Sequence, residues 1–359
     1  MKEYIVTKEI LNIRSKPSDE NDDTFIGQLL QGETVWLDEN EISSTIPKNG
    51  TTNIWLSDNR NNVVAKDGVE DALQYWIKKY GIDELWKNTM GEGVTVIFID
   101  SGVSEYNLSA FNSTKKSIFG DQDIEDNLWH GSLMCSIVKG NNTDILGVAP
   151  NCSIISIKIT NSIKINWDDF LTGLKLIESI VDKDKVYVVN CSVSGELHNS
   201  SVQNDLQVLI DNYTSNYKML FVSAVGNDGD YTNNLNIIPP RLKNVISIAG
   251  IDRLEIRLEL SNYWDDIDCV CPGVFVSESL KQKYPLYETS GSSHACAFAS
   301  GLIALFLSKG LKSSKFLNYK NIKSLIVEST NPFITPKPQK ILSDRILFKE
   351  NLINTFLNI

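Results

Sequence analysis

Residues 290–307 read SGSSHACAFASGLIALFL and contain the longest apolar run of the chain. A turn rich in glycine and serine opens a helix whose side chains are apolar on nearly every face as far as Leu307. A helix without a polar face has to be buried in the centre of a domain. The apolar run is shorter than the roughly 18 residues that a membrane span requires. We therefore expect a core helix, and no membrane among the partners of the protein.

On the N-terminal side of this helix, continuous apolar segments alternate with patterns of helical period. Apolar runs bounded by turn residues predict buried strands, and Asn166 is placed to cap one of the helices between them. The predicted strands cover residues 94–99, 154–159, 186–193, 219–225 and 245–250, and the predicted helices cover residues 167–181 and 202–213. Strands buried on both faces indicate an α/β domain, with a parallel sheet and helices on both of its faces.

Residues 1–68 have a different pattern, in which short strands alternate with polar turns. That spacing is typical of a small all-β barrel. From Val69 to Trp86 the apolar residues follow a helical period instead. We therefore predict a barrel domain over residues 1–68 and the α/β domain over residues 69–359. Residues 27–34 have the glycine spacing of a phosphate-binding loop, but Glu33 stands in place of its essential lysine, which argues against a nucleotide site.

Composition and charge limit the partners and the compartment. The 359 residues include 34 lysines and arginines against 45 aspartates and glutamates, a formal net charge of −11. Such a surface repels a phosphate backbone, so we expect no nucleic acid as a ligand. The first residues have no apolar core of the length that a signal peptide needs, and we expect a cytoplasmic protein. The 6 cysteines are thinly spread without zinc-ligand spacing, which favours reduced thiols.

One acidic loop raises the question of a metal ion. Asp121, Asp123, Glu125 and Asp126 offer carboxylate oxygens of the kind that bind calcium. The loop lacks the glycine and the spaced final glutamate of a dedicated calcium loop, so a solvated loop is the preferred interpretation. We expect no cofactor, and a structural calcium stays open as an alternative.

Three polar side chains lie at the ends of predicted elements. Asp100 follows the strand of residues 94–99, at the edge of a parallel sheet where sites are built. His130 precedes an apolar helix, and Ser293 lies in the first turn of the core helix, where unpaired N–H groups carry partial positive charge. Taken singly, each residue also fits a structural role, as a turn-forming aspartate, a buried histidine or a capping serine.

Together and in this order, Asp100, His130 and Ser293 resemble the catalytic residues of the subtilisin-like serine proteases, or subtilases. The surrounding motifs are Asp-Ser-Gly from residue 100, His-Gly-Ser from residue 130 and Gly-Ser-Ser-His-Ala from residue 291. Residues 190–195 resemble the strand beside the family's first specificity pocket, and residues 221–227 the strand end that delivers its oxyanion-hole asparagine. Two more landmarks, at residues 148–150 and 268–273, extend the resemblance over about residues 80–350.

The resemblance implies a subtilisin-like fold and a role for each matched residue. It makes Ser293 the nucleophile, His130 the general base and Asp100 the carboxylate that orients the imidazole. Asn227 and the Ser293 backbone N–H would form the oxyanion hole. The implied substrate-binding residues flank the first specificity pocket: Ser192, Val193, Ser194, Gly195, Ala224, Val225 and Gly226.

The sequence departs from the family pattern around the nucleophile and the base. Ser132 and Ser292 replace the usual threonines, but both keep a hydroxyl, and we expect the local hydrogen bonds to survive. Ala297 replaces a proline in the nucleophile's helix, which restores one backbone donor.

Three further departures concern the pocket and the second histidine. His294 directly follows Ser293, and consecutive helical residues point about 100° apart, so we do not expect it to act as the base. Ser194 and Val225 stand where smaller residues are common, and we expect them to narrow the pocket.

Residues 1–68 resemble the bacterial Src-homology-3-like domains. The resemblance is carried by residues 11–17, by the glycine turns at residues 26–27 and 32–35, and by Trp55 and residues 63–65. The alternative is an inhibitory propeptide, which needs two amphipathic helices that residues 1–65 do not show. The resemblance implies a domain that binds a partner protein or peptide.

The expected function is that of an intracellular processing endopeptidase, which hydrolyses a protein or peptide substrate. The alternative is a catalytically inactive subtilase-like protein that binds a peptide without cleaving it. A lipase or esterase is excluded, because the chain lacks the Gly-x-Ser-x-Gly turn and has the wrong residue order.

Overall fold

The computed structural model describes residues 75–104, 113–140, 146–232, 235–277, 287–315, 317–331, 346–347 and 349–359, and the strands of the first 74 residues. The chain divides into two compact units, Met1–Lys78 and Lys79–Ile359. This boundary lies later than the sequence pattern placed it. Val69–Asp71, which the pattern assigned to a helix, forms a strand that pairs with Lys2–Val6.

The first unit contains two antiparallel sheets of short strands. The strands are β1 (Lys2–Val6), β2 (Ile10–Arg14), β3 (Phe25–Leu30), β4 (Thr34–Leu37), β5 (Ile42–Thr45), β6 (Thr52–Ser57), β7 (Val63–Ala65) and β8 (Val69–Asp71). One sheet has the order β4-β1-β8 and the other β3-β2-β7-β6-β5. The described pairings in both sheets are antiparallel, as short strands joined by turns require.

The second unit is built on a sheet of nine strands in the order β10-β11-β9-β12-β14-β16-β17-β21-β20. Its strands are β9 (Val94–Asp100), β10 (Thr114–Ser117), β11 (Ser153–Lys158), β12 (Val186–Cys191), β14 (Lys218–Ala224), β16 (Val245–Ile251), β17 (Cys269–Pro272), β20 (Thr330–Asn331) and β21 (Ile346–Leu347). Two pairs lie outside it, β13 (Gly195–Glu196) with β15 (Ile237–Ile238), and β18 (Val274–Ser277) with β19 (Tyr287–Ser290). Every described pairing in the large sheet is parallel except β20 with β21. The prediction of a parallel α/β sheet is confirmed.

Helices of the second unit lie on both faces of this sheet. The described helices of the chain, of which the first spans the boundary between the units, are α1 (Tyr75–Lys79), α2 (Ile82–Trp86), α3 (His130–Lys139), α4 (Trp167–Ile177), α5 (Ser200–Asn216), α6 (Ser292–Lys312), α7 (Tyr319–Glu328) and α8 (Lys349–Leu357). α4 and α5 share one apolar cluster with strand residues such as Ile97 and Phe221. α6 packs against β12, β14, β16 and α3, and covers the other face.

The core helix predicted from residues 290–307 is α6. Its residues are buried almost continuously from Ser292 to Ser308, as a helix without a polar face requires. At 21 residues it is long and apolar enough, by length and composition alone, to cross a membrane. However, 89% of its most apolar window is buried inside the protein, as in the core helix of a globular domain.

Candidate active site

A cleft of 520 Å³ opens at the edge of the sheet where β9, β12 and β14 end. This is the edge at which parallel α/β sheets place their ligands. Its lining includes Asp100, His130, Asn227 and Ser293, the four residues expected to carry chemistry. Two short segments form its sides, residues 192–194 and 226–228, and the apolar Leu128, Ile163 and Ile165 also line it.

Asp100 and His130 form a hydrogen-bonded pair. Asp100 ends β9 and is 2% exposed, and His130 is the first residue of α3. The His130 Nδ1 lies 2.8 Å from one oxygen of Asp100 and 3.0 Å from the other. The carboxylate therefore fixes the ring and favours the tautomer that carries its proton on Nδ1, which leaves Nε2 as the basic nitrogen.

Two opposing effects set the pKa of His130. Burial lowers it, while the charge of Asp100, the hydrogen bond to Asp100 and the charge of Asp126 all raise it. The combined effect of the two carboxylates exceeds the effect of burial, and the pKa of His130 lies above the ordinary value of 6.5. The imidazole side chain is 37% exposed, so one of its edges is accessible from the cleft.

Asp126 organises the approach to His130, a role that the sequence reasoning missed. Its carboxylate accepts hydrogen bonds from the backbone N–H groups of Leu128, Trp129 and Ser132 at 3.1, 2.8 and 2.8 Å. Trp129 has a φ of 66°, in the left-handed region that favours glycine, and the bond to Asp126 holds it there. The sequence carried no capping signal for this role, because Asp126 lies four residues before His130 and the N-cap position is occupied by Trp129.

Two hydroxyls connect Asp126 to its surroundings. Ser132 Oγ donates to Asp126 at 2.7 Å and accepts from the Ser104 N–H at 2.9 Å. Ser101 Oγ donates to Asp126 at 2.8 Å and accepts from the Gly131 N–H at 3.0 Å. Ser132 replaces the family's threonine, and its hydroxyl thus both donates and accepts a hydrogen bond.

Ser293 lies in the first turn of α6 and is 6% exposed. Its hydroxyl donates to the Ser192 carbonyl oxygen at 2.9 Å, and the Ser192 hydroxyl donates to the Ser293 carbonyl oxygen at 3.0 Å. These two reciprocal bonds tie the nucleophile's helix to the segment that follows β12. In this structure the Ser293 hydroxyl donates its proton to a carbonyl group, and this proton must be redirected before it can be presented to His130.

Asn227 is oriented by the residue that precedes Ser293. Its Oδ1 accepts from the Ser292 N–H at 2.8 Å. Ser292 Oγ donates to the Gly226 carbonyl at 3.0 Å and accepts from the Gly226 N–H at 3.2 Å. Since the amide oxygen of Asn227 is occupied, its NH₂ group is the end left to donate toward the cleft.

His294 faces away from this chemistry. It is 6% exposed, its Nε2 lies 2.8 Å from Thr289 Oγ1, and its ring stacks on Phe275 with centroids 6.4 Å apart. Burial, and secondly the charge of His130, lower the pKa of His294 to about 3. A neutral imidazole that bonds to β19 connects that strand to α6.

The substrate-binding residues implied by the resemblance divide into two groups. Four of them, Ser192, Val193, Ser194 and Gly226, line the cleft. Gly195 lies in β13 and pairs with Ile238, while Ala224 and Val225 are 1% and 0% exposed and are not part of the lining.

The acidic loop pairs with lysines of the neighbouring strands. Lys158, whose side chain is fully buried, donates to Asp123 Oδ1 and to the Glu125 carbonyl, both at 2.6 Å. Lys115 lies 2.7 Å from Glu125, and Lys116 lies 3.6 Å from Asp121. The hydrogen bonds from Lys158 and Asn161 lower the pKa of Asp123. Within the described ranges, no group of three or more histidines, cysteines, aspartates or glutamates is placed to hold a metal ion.

Comparisons with known proteins find similarity over most of the second unit. A model of the Subtilase family matches residues 91–348. The thermophilic serine proteinase of Bacillus sp. (strain AK1) is 27% identical over 251 residues, which are 68% of this chain and 60% of that protein. Thermitase of Thermoactinomyces vulgaris is 26% identical over 260 residues, 68% of this chain and 85% of that protein.

A solved structure agrees with the sequence comparisons on the fold. The prenylagaramide maturation protease PagA superposes with a TM-score of 0.61 at 21% identity, over 77% of this chain and 98% of that one. The chain spans less than two thirds of the Bacillus protein that it matches. The family model, by contrast, covers well over half of this chain. The chain belongs to the subtilase family.

Proposed function

We propose that the protein is a serine endopeptidase in which Asp100, His130 and Ser293 form the catalytic triad. Membership of the family and the two proteinases among its relatives support this activity. The observation that carries the proposal is the pair of contacts between Asp100 and His130 Nδ1, inside a cleft that Ser293 and Asn227 also line.

The proposed reaction begins at Ser293. A serine hydroxyl is too weakly acidic to attack a peptide carbonyl unaided, so His130 Nε2 takes its proton as Oγ bonds to the carbonyl carbon. The same imidazole then gives the proton to the leaving amine. A water molecule repeats the attack on the acyl-enzyme and releases the acid. Asp100 stabilises the imidazolium that forms in each half of the reaction.

Asn227 and the Ser293 backbone N–H would stabilise the negative charge on the tetrahedral oxygen. The bond from the Ser292 N–H holds the Asn227 amide so that its NH₂ group donates. A donor fixed before the reaction begins costs no reorganisation, and one such donor contributes roughly 2.7–4 kcal/mol to the transition state.

The Ser293 hydroxyl must leave the Ser192 carbonyl before it can bond to His130. This change exchanges one hydrogen bond for another, and catalytic hydrogen bonds often tighten only when substrate is bound. The net contribution of such a bond is about 1 kcal/mol, which is small beside a catalytic barrier.

A fluorophosphonate probe tests the proposal directly. We expect covalent labelling of the wild-type protein, no labelling of the Ser293→Ala variant, and labelling of a Ser215→Gly control at an exposed position. A protein with this machinery should also cleave an unfolded protein substrate. Absence of labelling in wild type and variant alike would contradict the proposal and favour the inactive peptide-binding alternative.

The substrate and compartment form a second part of the proposal. We infer that the protein is an intracellular processing protease. A maturation protease among the structures of similar fold fits a limited cleavage of a peptide precursor. Fractionation of cells with an antibody to the protein tests the compartment, and recovery outside the cytoplasm would contradict it.

The N-terminal unit completes the proposal. We infer that its antiparallel strands form a Src-homology-3-like barrel that binds a partner protein or peptide, and that the reaction itself requires no cofactor. The antiparallel pairings of consecutive strands, β2 with β3, β5 with β6 and β6 with β7, support a domain of short hairpins. A structural calcium stays an alternative, and an unchanged melting temperature after chelation would exclude it.

A further inference from the structure

Ser194 and Gly226 face each other across the entrance to the first specificity pocket. Ser194 belongs to the segment after β12, and Gly226 belongs to the segment after β14. A Cβ built on Gly226 would lie 3.1 Å from the Ser194 hydroxyl oxygen. Because a carbon–carbon bond is about 1.5 Å long, that oxygen is within about 4.6 Å of the Gly226 Cα.

This separation is too small for a side chain to pass. A carbon atom needs about 3.5–4.0 Å to a neighbour on each side. A methylene inserted between the Ser194 hydroxyl and Gly226 therefore requires a gap of about 7 Å. The hydroxyl closes the space that a long or aromatic substrate side chain would occupy.

A second residue fills the space on the side of Gly226 that faces Ser194. Gly226 has a φ of 103°, and the Nδ2 atom of Asn262 would lie 2.5 Å from a Cβ at that position. The same Nδ2 donates to the Val225 carbonyl at 3.3 Å and to Asp228 at 2.9 Å. Asn262 and the Ser194 hydroxyl therefore occupy the same side of Gly226, and the hydrogen bonds of Asn262 hold its amide in that space.

The floor of the pocket is closed in the same region. Ala224 and Val225, which the resemblance assigned to substrate binding, are 1% and 0% exposed. In the described part of the chain, the cleft lining on this side begins at Gly226. The cleft thus ends where a deep pocket would have to continue toward β14.

We propose that Ser194 is a specificity-determining residue that restricts the P1 residue, on the N-terminal side of the cleaved bond, to glycine, alanine or serine. The inference rests on the proposed serine endopeptidase function and adds the substrate class to it. A small P1 side chain ends before it reaches the Ser194 hydroxyl, whereas phenylalanine or leucine collides with it.

The test compares peptide substrates that differ only at P1, alanine in one and phenylalanine in the other. One methylene group added to a substrate changes kcat/KM by about 10–200-fold when the pocket fits the substrate closely. We expect wild-type kcat/KM to be at least tenfold higher for alanine. The Ser194→Gly variant should raise the ratio of kcat/KM for the phenylalanine substrate to kcat/KM for the alanine substrate at least tenfold.

Two further variants sharpen the test. Ser194→Ala removes the hydroxyl but keeps Cβ, so its gain for phenylalanine should lie between those of wild type and Ser194→Gly. Ser215→Gly makes the same change at an exposed position of α5 and should leave the ratio of the two substrates at the wild-type value. A gain in Ser215→Gly equal to that in Ser194→Gly would overturn the proposal.

Labelling with a fluorophosphonate separates this proposal from the proposed function. A protein that labels at Ser293 yet cleaves after phenylalanine as fast as after alanine would show that Ser194 moves aside, and would overturn the restriction alone. A protein that neither labels nor cleaves would overturn the endopeptidase function and the restriction with it.

Discussion

The charge of Asp100 governs what His130 can do at a given pH. The carboxylate accepts the Nδ1 proton at 2.8 Å and, against the effect of burial, keeps the pKa of His130 above 6.5. Only the neutral imidazole can take the proton of Ser293. In the proposed mechanism, the same interaction that orients His130 therefore restricts its use as a base to pH values above its own pKa.

A pH profile of the wild-type enzyme should show this restriction. We expect kcat/KM to fall as the pH decreases, with the midpoint of the acid limb above 6.5 because Asp100 and Asp126 raise the pKa of His130. Asp100→Asn should move that limb to lower pH and reduce kcat by about 10⁴-fold. An acid limb at the same pH in wild type and variant would show that another group controls the reaction.

Asp126 should behave as a positioning residue. Its carboxylate holds three backbone N–H groups and two hydroxyls around the start of α3. Asp126→Asn exchanges an acceptor for a donor on one side and removes a charge that raises the pKa of His130. We expect about a tenfold loss in kcat and an acid limb at lower pH, measured with one peptide substrate.

A control variant distinguishes this effect from the general effect of removing one negative charge from the acidic loop. Asp121 lies in the same loop, but its side chain is 82% exposed. Asp121→Asn should leave kcat and the acid limb unchanged. If Asp126→Asn destabilises the fold without a shift of the acid limb, its role is structural.

The sequence predicted which residues form the site, but it did not predict all of the hydrogen bonds that these residues make. Asp100, His130, Asn227 and Ser293 were singled out from motifs, and all four line one cleft. The hydrogen-bond network of Asp126 was not predicted. The sequence does not distinguish an exposed acidic residue of a loop from a buried one that accepts hydrogen bonds from the backbone. The bond of Ser293 to the Ser192 carbonyl depends on one rotamer, which no local sequence pattern specifies.

Among the elements, the connection between β19 and α6 depends on His294. Its Nε2 bonds to Thr289 at 2.8 Å, and its ring packs on Phe275 of β18. The histidine is neutral in the folded protein because burial lowers its pKa to about 3. In the unfolded chain it titrates near 6.5, so below that pH the unfolded state gains a proton that the folded state does not.

Replacement of this histidine should make the protein less sensitive to acid. From pH 7 to pH 5 the wild type should lose about 2 kcal/mol of unfolding free energy through His294, and His294→Gln should not lose this part. Glutamine keeps a hydrogen-bonding group for Thr289. Urea unfolding of both proteins at the two pH values measures the difference, and equal losses would contradict the assignment.

A second element, the acidic loop, is held by a buried ammonium group. The Lys158 side chain is fully buried on β11 and bonds to Asp123 and to the Glu125 carbonyl. Lys158→Met keeps the length but leaves the Glu125 carbonyl without this donor. We expect a loss of about 1–3 kcal/mol in the free energy of unfolding.

The matched control is a lysine of the adjacent strand. Lys116 and Asp121 lie 3.6 Å apart with 39% and 82% of their side chains exposed. An exposed ion pair contributes at most about 1 kcal/mol. Lys116→Met should therefore change the unfolding free energy far less than Lys158→Met, and equal effects would mean that burial of Lys158 is unimportant.

The beginnings of elements were easier to predict than their ends. Asn166 was expected to cap a helix, and its side chain accepts from the Asp168 and Asp169 N–H groups at 2.9 and 3.4 Å. That helix ends at Ile177, earlier than the pattern suggested. The helical prediction for residues 69–86 was wrong at its N-terminal end, where Val69–Asp71 forms a strand, but the last helix in this range does end at Trp86. Gly81, with a φ of 66°, separates two short helices there.

On the scale of the whole molecule, the described lining of the cleft lies in one unit. Each lining residue in the described part of the chain lies between Asp100 and Ser293, within Lys79–Ile359. A chain that begins at Tyr75, which keeps α1 whole, should therefore react with a fluorophosphonate at the rate of the full-length protein. A folded truncated protein, shown by circular dichroism, that fails to react would indicate that the N-terminal unit is needed to form the site.

The central position of α6 has a consequence for how this protein is made. The ribosome synthesises Asp100 and His130 long before Ser293, with roughly 200 residues between the first and the last of them. At 5–20 residues per second this takes about 10–40 s. At the end of that time the nascent polypeptide contains Asp100, His130 and the described strands of the sheet except β20 and β21, but α6 is still missing. In the proposed mechanism, hydrolysis therefore has to wait until this late helix is inserted.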